Sequence, residues 1–323
     1  MSRNTRFFFF TSALILVVGL ATGLLAYYGG LPTMASARSA GPDELKYVPA
    51  SAAVVAYADV RAVMNSEFRQ KLRPVLPHGE GKGQQEFQQK TGIDIEQDID
   101  YVLAWMTPAP QGHPAAMVLL RGRFDQPRLE ALAVEHGGGV EVIDGIRALH
   151  IDKGDDDGML AFLEPGLIAV GEEHIVRAAI GARNGPGLRE NQELTSLIAD
   201  LEGSSNLWAV GRMDALASRA HLPEQLASQI PAVKWFAASS SINGGLSGML
   251  RAEARDPESA KNLRDVIQGF MALARLQAGN KPELAPLLQS MQLSGTGNTV
   301  ALSFEVPSTL IDAIAEHGKR AEN

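Results

Sequence analysis

The chain carries seven histidines, His78, His113, His136, His150, His174, His221 and His317, and no cysteine. No two histidines stand in H-x-x-x-H or H-E-x-x-H spacing, which would turn two imidazoles onto one helix face around a zinc ion. His150 and Asp152 lie two apart in an expected strand and share one of its faces. Such a pair can begin a metal site, but a solvated strand end explains it better, and no metal is assigned. Asp155-Asp156-Asp157-Gly158 has the look of a calcium loop. An EF-hand needs a glutamate at position 12, and counting from Asp155 that place falls on Gly166, so the run reads as a tight turn. Gly79-Glu80-Gly81-Lys82-Gly83 is not a phosphate loop. Leu76 stands where the first glycine is required, and Gly83 stands where Ser or Thr would hold magnesium. Gly245-Leu246-Ser247-Gly248 misses the nucleophile-elbow pattern because Met249 takes its last place. Gly137-Gly138-Gly139 ends a helix instead of opening one after a strand, so it is no dinucleotide fingerprint. The missing cysteine excludes disulfides, thiolate nucleophiles, zinc–thiolate sites and iron–sulfur clusters. No catalytic, cofactor-binding or metal-ligating residue is therefore assigned.

Three tryptophans, Trp105, Trp208 and Trp235, fall in expected strands. Packing on a sheet face accounts for them better than a stacking platform for glycan or peptide. In the strand 233–242, Lys234 and Phe236 share the face opposite Trp235. One of Trp235 and Phe236 is therefore expected in solvent, and these two are the candidate partner surface.

The elements that would position these groups begin with an address. Residues 7–28, FFFFTSALILVVGLATGLLAYY, contain no charge. As a helix they span roughly 33 Å, enough for a hydrocarbon core of about 30 Å. Arg3 and Arg6 precede the run and no acid appears before Asp43, so residues 1–6 are expected in the cytoplasm and the remainder outside. Tyr27 and Tyr28 sit at interfacial depth. The competing reading is a signal peptide cleaved after Ala35-Ser36-Ala37. Its apolar part would be longer than the roughly 7–15 residues usual there, and the cleavage site lies well beyond it. Both readings place residues 38–323 beyond the membrane, and a single-pass anchor is preferred.

The whole chain has 323 residues and a net charge of −8, and the exported part is more acidic still because Arg3 and Arg6 stay behind. That argues against nucleic acid or anionic headgroups as main partners. A hydrophobic content of 45% is enough for an ordinary core. Residues 29–44, mostly Gly, Pro, Ser and Ala, read as a flexible linker. The first half, 45–187, reads as the strand 53–60, a helix 61–76, a short polar helix 84–90 and a strand pair 99–106 and 115–124. A Pro127-started helix, strand material 140–151 and 159–171, and a helix 172–182 follow. Asn184-Gly185-Pro186-Gly187 breaks the chain. The second half, 188–318, gives a polar helix 192–201, a strand 206–213, helical sequence after Asp214, and strands 233–242 and 246–254 around Asn243-Gly244. It continues with a long helix from Pro257, strand sequence 293–306 and a helix from Ser308, before a tail 319–323. The long helix has an apolar stripe of Ala260, Leu263, Ile267, Phe270, Met271 and Ala274.

The halves can be laid over each other. Leu120-Arg121 and Pro127 match Leu250-Arg251 and Pro257 at a constant offset. Val55–Ala58 matches Trp208–Gly211, and Leu167–Val170 matches Val300–Ser303. The expected fold is therefore α+β: an N-terminal transmembrane helix, then an extracytoplasmic domain of two similar halves. In each half an antiparallel sheet carries helices on one face.

Gly92–Asp100, Phe162–Gly171, Tyr47-Val48-Pro49-Ala50 and Gly269–Ala274 resemble an uncharacterised family of exported, membrane-anchored bacterial proteins, found chiefly in soil-type Gram-negative species. The resemblance runs over nearly all of residues 45–316. Its motifs are structural junctions, and the family has no assigned activity, so it supplies no functional residue. The expectation is a periplasmic, non-enzymatic binding or interaction module of the cell envelope. Its expected partners are the membrane, through the N-terminal helix, and an envelope protein, with no cofactor. The alternatives are a hydrolase assembled from distant acid–base groups and a carrier of a lipid or small apolar ligand.

Overall fold

The structure is a computed structural model that describes residues 43–72, 82–108, 115–151, 158–201, 205–213, 233–242, 245–277, 285–306, 308 and 310–312. The apolar run 7–28, most of the linker, His78, His113, Asp152, Asp155 to Asp157, the helix after Asp214, His221, Asn243-Gly244, His317 and the tail lie outside the described residues. Among the described residues no helix is long and apolar enough to cross a membrane. The described chain forms two compact units. One holds 43–64 and 82–199, the other 65–72 and 200–312, so the division lies past the Asn184–Gly187 break.

The first unit opens with a 3₁₀ turn, Asp43–Tyr47, and strand β1, Val54–Ala58. The helix expected over 61–76 is divided into α1, Val60–Asn65, and α2, Glu67–Leu72, the latter in the second unit. Ser66 makes the break, because its hydroxyl accepts the Arg69 N–H at 3.2 Å. That bond caps α2. Helices α3, Lys82–Thr91, and α4, Ile95–Asp98, lead into β2, Ile99–Thr107, and β3, Ala115–Gly122. Helix α5, Gln126–Glu135, is followed by β4, Val140–Ile143, β5, Ile146–Ile151, β6, Gly158–Glu164, and β7, Leu167–Glu172. Helix α6, Glu173–Ala182, a second 3₁₀ turn and α7, Gln192–Ala199, complete the unit. The strands lie in the order β1-β2-β3-β7-β6-β5-β4, with antiparallel neighbours.

The second unit contains β8, Leu207–Arg212, β9, Val233–Ser241, and β10, Leu246–Ala254. It continues with α8, Pro257–Gln277, α9, Ala285–Ser290, β11, Gln292–Ser294, and β12, Thr299–Val306. Its antiparallel order is β8-β9-β10-β12-β11. Read strand for strand, that is the order β1-β2-β3-β7-β6 of the first unit, which adds the β4–β5 hairpin. Arg121 pairs across the ladder with Leu167, and Arg251 with Ala301. The last strands therefore correspond one residue away from the match read in sequence, a slip that exchanges their faces.

Hairpin turns follow local chemistry. Asp144-Gly145, both at positive φ, closes β4–β5. Pro165-Gly166, with Gly166 at φ 72°, closes β6–β7. Asp-Gly and Pro-Gly are the residue pairs that such turns favour. The two longest stretches of the family resemblance meet at Gly122. Its N–H donates to Gly166 O at 2.9 Å, and a Cβ there would stand 2.1 Å from Asp98 O. Only glycine allows that approach.

Helices cover both faces of the first sheet, where one face was expected. Arg147 and His150 are three apart on β5 and point to opposite faces. Arg147 bonds Glu130 of α5 at 2.6 Å, whereas His150 lies 3.5 Å from Glu173 of α6. The cause is visible in β2, where Val102, Leu103, Ala104, Trp105 and Met106 are all buried, so neither face can meet water.

A polar network fastens the first 3₁₀ turn to this sheet. Arg121 donates from Nε to Glu44 Oε1 at 3.1 Å and from Nη1 to Pro165 O at 3.1 Å, and its Nη2 pairs with Glu44 and Glu164. Glu164 also accepts from Lys46 Nζ at 2.7 Å and from Tyr47 Oη at 2.8 Å. Glu44 is buried at 3% exposure. Its charge therefore depends on the guanidinium. Burial pushes the Tyr101 phenol up to about 12, and its bond to Glu44 adds to the shift. The Lys46 ammonium, then Tyr47 and Arg121, hold the Glu164 carboxyl down at about 2 against an ordinary 4.5.

Two outcomes follow. Arg121→Met strands the buried Glu44 charge and should lower stability by about 3–5 kcal/mol in urea titrations, and adding Glu44→Gln should recover part of that loss. Because the folded Glu164 pKa is depressed, its contribution is complete above about pH 4.5 and is lost as pH falls toward about 2. Melting temperatures of Glu164→Gln, followed by circular dichroism, should fall less steeply than wild type across that window.

Candidate interaction surface

His150 has the richest polar surroundings of the described histidines. Its Nε2 lies 2.7 Å from Glu141 Oε2 and its Nδ1 3.5 Å from Glu173 Oε2. Arg177 lies 2.6 Å from Glu141 Oε1 and donates to Glu173 Oε1 at 2.7 Å. The Arg177 guanidinium, then His150, lower the Glu141 pKa. Both carboxylates are thus neutralised by a fixed cation, an arrangement that ties α6 to β4 and β5 and leaves no anionic cage for a metal. Among the described residues no group of three potential ligands could hold one. His136 is used at the end of α5, with Nδ1 2.9 Å from Leu132 O, and His174 is exposed beside Glu172.

On β9 the structure places Trp235 and Phe236, the candidate partner surface, at unequal depths. Trp235 is buried at 9% exposure and Phe236 is half-buried, so neither aromatic is fully presented to solvent, while Lys234 is exposed. The period of two placed Trp235 opposite Lys234 and Phe236 correctly. It could not reveal which of the two faces is covered, and the structure buries the Trp235 face. Trp105 and Trp208 are core residues at 1% and 3% exposure.

Among the described residues, exposed large apolar side chains include Val134, Val140 and Val142 in the first unit, Met249 and Leu250 on β10, and three in a row along helix α8. Asp256 accepts the Ser259 N–H at 2.7 Å. Pro257 supplies a first position that needs no donor. Ala260 packs with Ala254 and Val300, and Leu263 and Ile267 lie against that cluster. Arg264 reaches the Gly297 and Thr299 carbonyls, at 3.1 and 2.9 Å. Phe270, assigned to the buried stripe in sequence, is 45% exposed, Leu273 is 50% and Leu276 78%. At about 100° per residue, Phe270, Leu273 and Leu276 form an arc that turns away from Met271. Met271 itself is buried. The arc lies past the point where α8 has a counterpart. Helix α5 ends at Glu135, which corresponds at the Pro127-to-Pro257 offset to Asp265, and α8 runs on from 266 to 277. Residues 266–277 contain Arg275 as their one charge and no acid. Sequence reading missed Leu273 and Leu276, although an apolar arc wider than one buried face was there as a signal.

Comparison of the chain with protein-family models, with curated proteins and with solved structures finds no match.

The burial difference within α8 has a direct readout. Ile267→Asp places an unpaired charge against the Ala254–Val300 cluster and should destabilise the second unit by more than about 2 kcal/mol. Phe270→Ser and Leu273→Ser should stay within about 0.5 kcal/mol of wild type, as exposed positions do. Thermal melts of the three variants side by side check both statements.

Proposed function

We propose that this protein is a single-pass, membrane-anchored module of the bacterial envelope whose folded part lies outside the cytoplasm and works by binding, not by catalysis. The observation that carries the binding half of the reading is the exposed Phe270–Leu273–Leu276 arc, which lies on the side of the helix turned away from the buried Met271 and core-packed Ile267. The placement half rests on the uncharged run 7–28 behind Arg3 and Arg6, and the resemblance to exported bacterial proteins is in keeping with it. A hydrolase is disfavoured by the His150 cluster, whose two carboxylates are held by Arg177.

The two units are proposed to be copies of one ancestral α+β unit. Their shared strand order supports this, and so do two repeated side-chain devices. Asp125 and Asp256 cap the helices that follow the third strand of each unit, accepting from Arg128 N and Ser259 N. Arg121 and Arg251, at equal places on β3 and β10, each bond an acid in the segment leading to the first strand, Glu44 and Asp200.

Topology reporters test the placement. With alkaline phosphatase at the C-terminus, cells carrying the full chain should be phosphatase-positive, and the fusion should sediment with membranes. A fluorescent reporter that matures only in the cytoplasm should stay dark there. A bright cytoplasmic reporter with an inactive phosphatase would overturn the proposal.

A further inference from the structure

We infer that α8 is a membrane-contact element: its Phe270–Leu273–Leu276 arc lies in the interface of the lipid bilayer that holds the N-terminal run. The inference rests on the anchored placement proposed above and adds the partner of the exposed arc. Three observations carry it. First, the arc is continuous and exposed on the last two turns of a long helix, and at about 100° per residue Arg275 falls on the side away from it. Apolar side chains on one face with a cation on the other is the pattern of a helix lying in the headgroup layer.

Second, the extension is free of acids in a chain of net charge −8, and elsewhere the acids keep an anionic surface at a distance. Residues 266–277 can enter headgroups without desolvating a carboxylate. A second copy of the chain is a poorer occupant. Three side chains bury far less than the roughly 800 Å² per partner of an ordinary stable interface.

Third, the covalent connection keeps the bilayer within reach. The described chain begins at Asp43, fifteen residues after Tyr28. A connection of that length extends at most about 50 Å. The bilayer is therefore always at high effective concentration, so a weak arc of three side chains is enough to be occupied.

The absence of cysteine makes the test clean, because each introduced thiol is unique. Full-length Leu276→Cys, Leu273→Cys and Lys261→Cys variants, labelled with an environment-sensitive fluorophore, would be reconstituted in vesicles of phosphatidylcholine and phosphatidylglycerol. Lipids carrying a nitroxide on the acyl chain serve as quenchers. Labels at 273 and 276 should shift to the blue and be quenched at least twofold more than the label at 261. Equal, weak quenching at all three places would overturn the inference. So would a bifunctional maleimide that joins two copies of the Leu276→Cys variant through the introduced thiol. Flotation of the same vesicles separates the two ideas. Protein that floats but shows no quenching retains the anchor and loses the contact, whereas protein that fails to float removes both.

Discussion

Everything in the first unit is ordered around a cation that cannot be spared. Arg121 lies inside a polar pocket between the 3₁₀ turn Asp43–Tyr47 and the β6–β7 hairpin, with Glu44 on one side and Glu164 on the other. A carboxylate buried as deeply as Glu44 is tolerable only while the guanidinium faces it. The pairing therefore fixes where the turn lies, and the turn fixes how the chain enters β1. Arg251 repeats the device against Asp200 in the second unit. There the partner side chains are 32% and 54% exposed. Water shares the work at that exposure, and the link is weaker.

The central strands set a second constraint. A strand buried on both faces needs layers above and below it, and the first unit supplies them from helices that leave the sheet in opposite directions. Close backbone approaches make those departures possible. Gly122 ends β3 against Asp98 and Gly166, which lets the chain swing into α5 from its Asp125 cap. In the second unit the helix at the same topological place is about twice as long. One side of it packs as far as Met271, and the Phe270–Leu273–Leu276 side of its second half is what the unit offers to its surroundings.

Much of this was legible in the residues. Strands rich in Val, Ile, Leu and aromatic residues, Pro-started helices and turn glycines placed most elements, and the α+β class followed from their order. The misreadings share one cause: local pattern does not say what stands across from it. The apolar spacing from Val63 to Leu76 suited one helix, but the Ser66 hydroxyl offered the backbone a better partner and divided it. Phe270 shared a helical stripe with Ile267, yet it stands at the edge of that stripe, about 100° around the helix from the buried Met271. The alternation in β9 put Trp235 and Phe236 on opposite faces, and the structure buries the first and leaves the second half-buried. The acids that meet His150 come from β4 and α6, nine and twenty-three residues away, beyond any spacing rule.

The Glu44–Arg121 pairing also orders events in time. The two residues are 77 apart in sequence, and Lys46 is 118 from Glu164. A chain that emerges N-terminus first presents the turn long before it presents the cation, so the turn waits in water while three more strands are made. Closing loops of that length is a late step with an entropic cost that local hairpins such as β6–β7 do not carry. The hairpins can therefore assemble early, and the N-terminal turn locks last, as a latch on a sheet already formed.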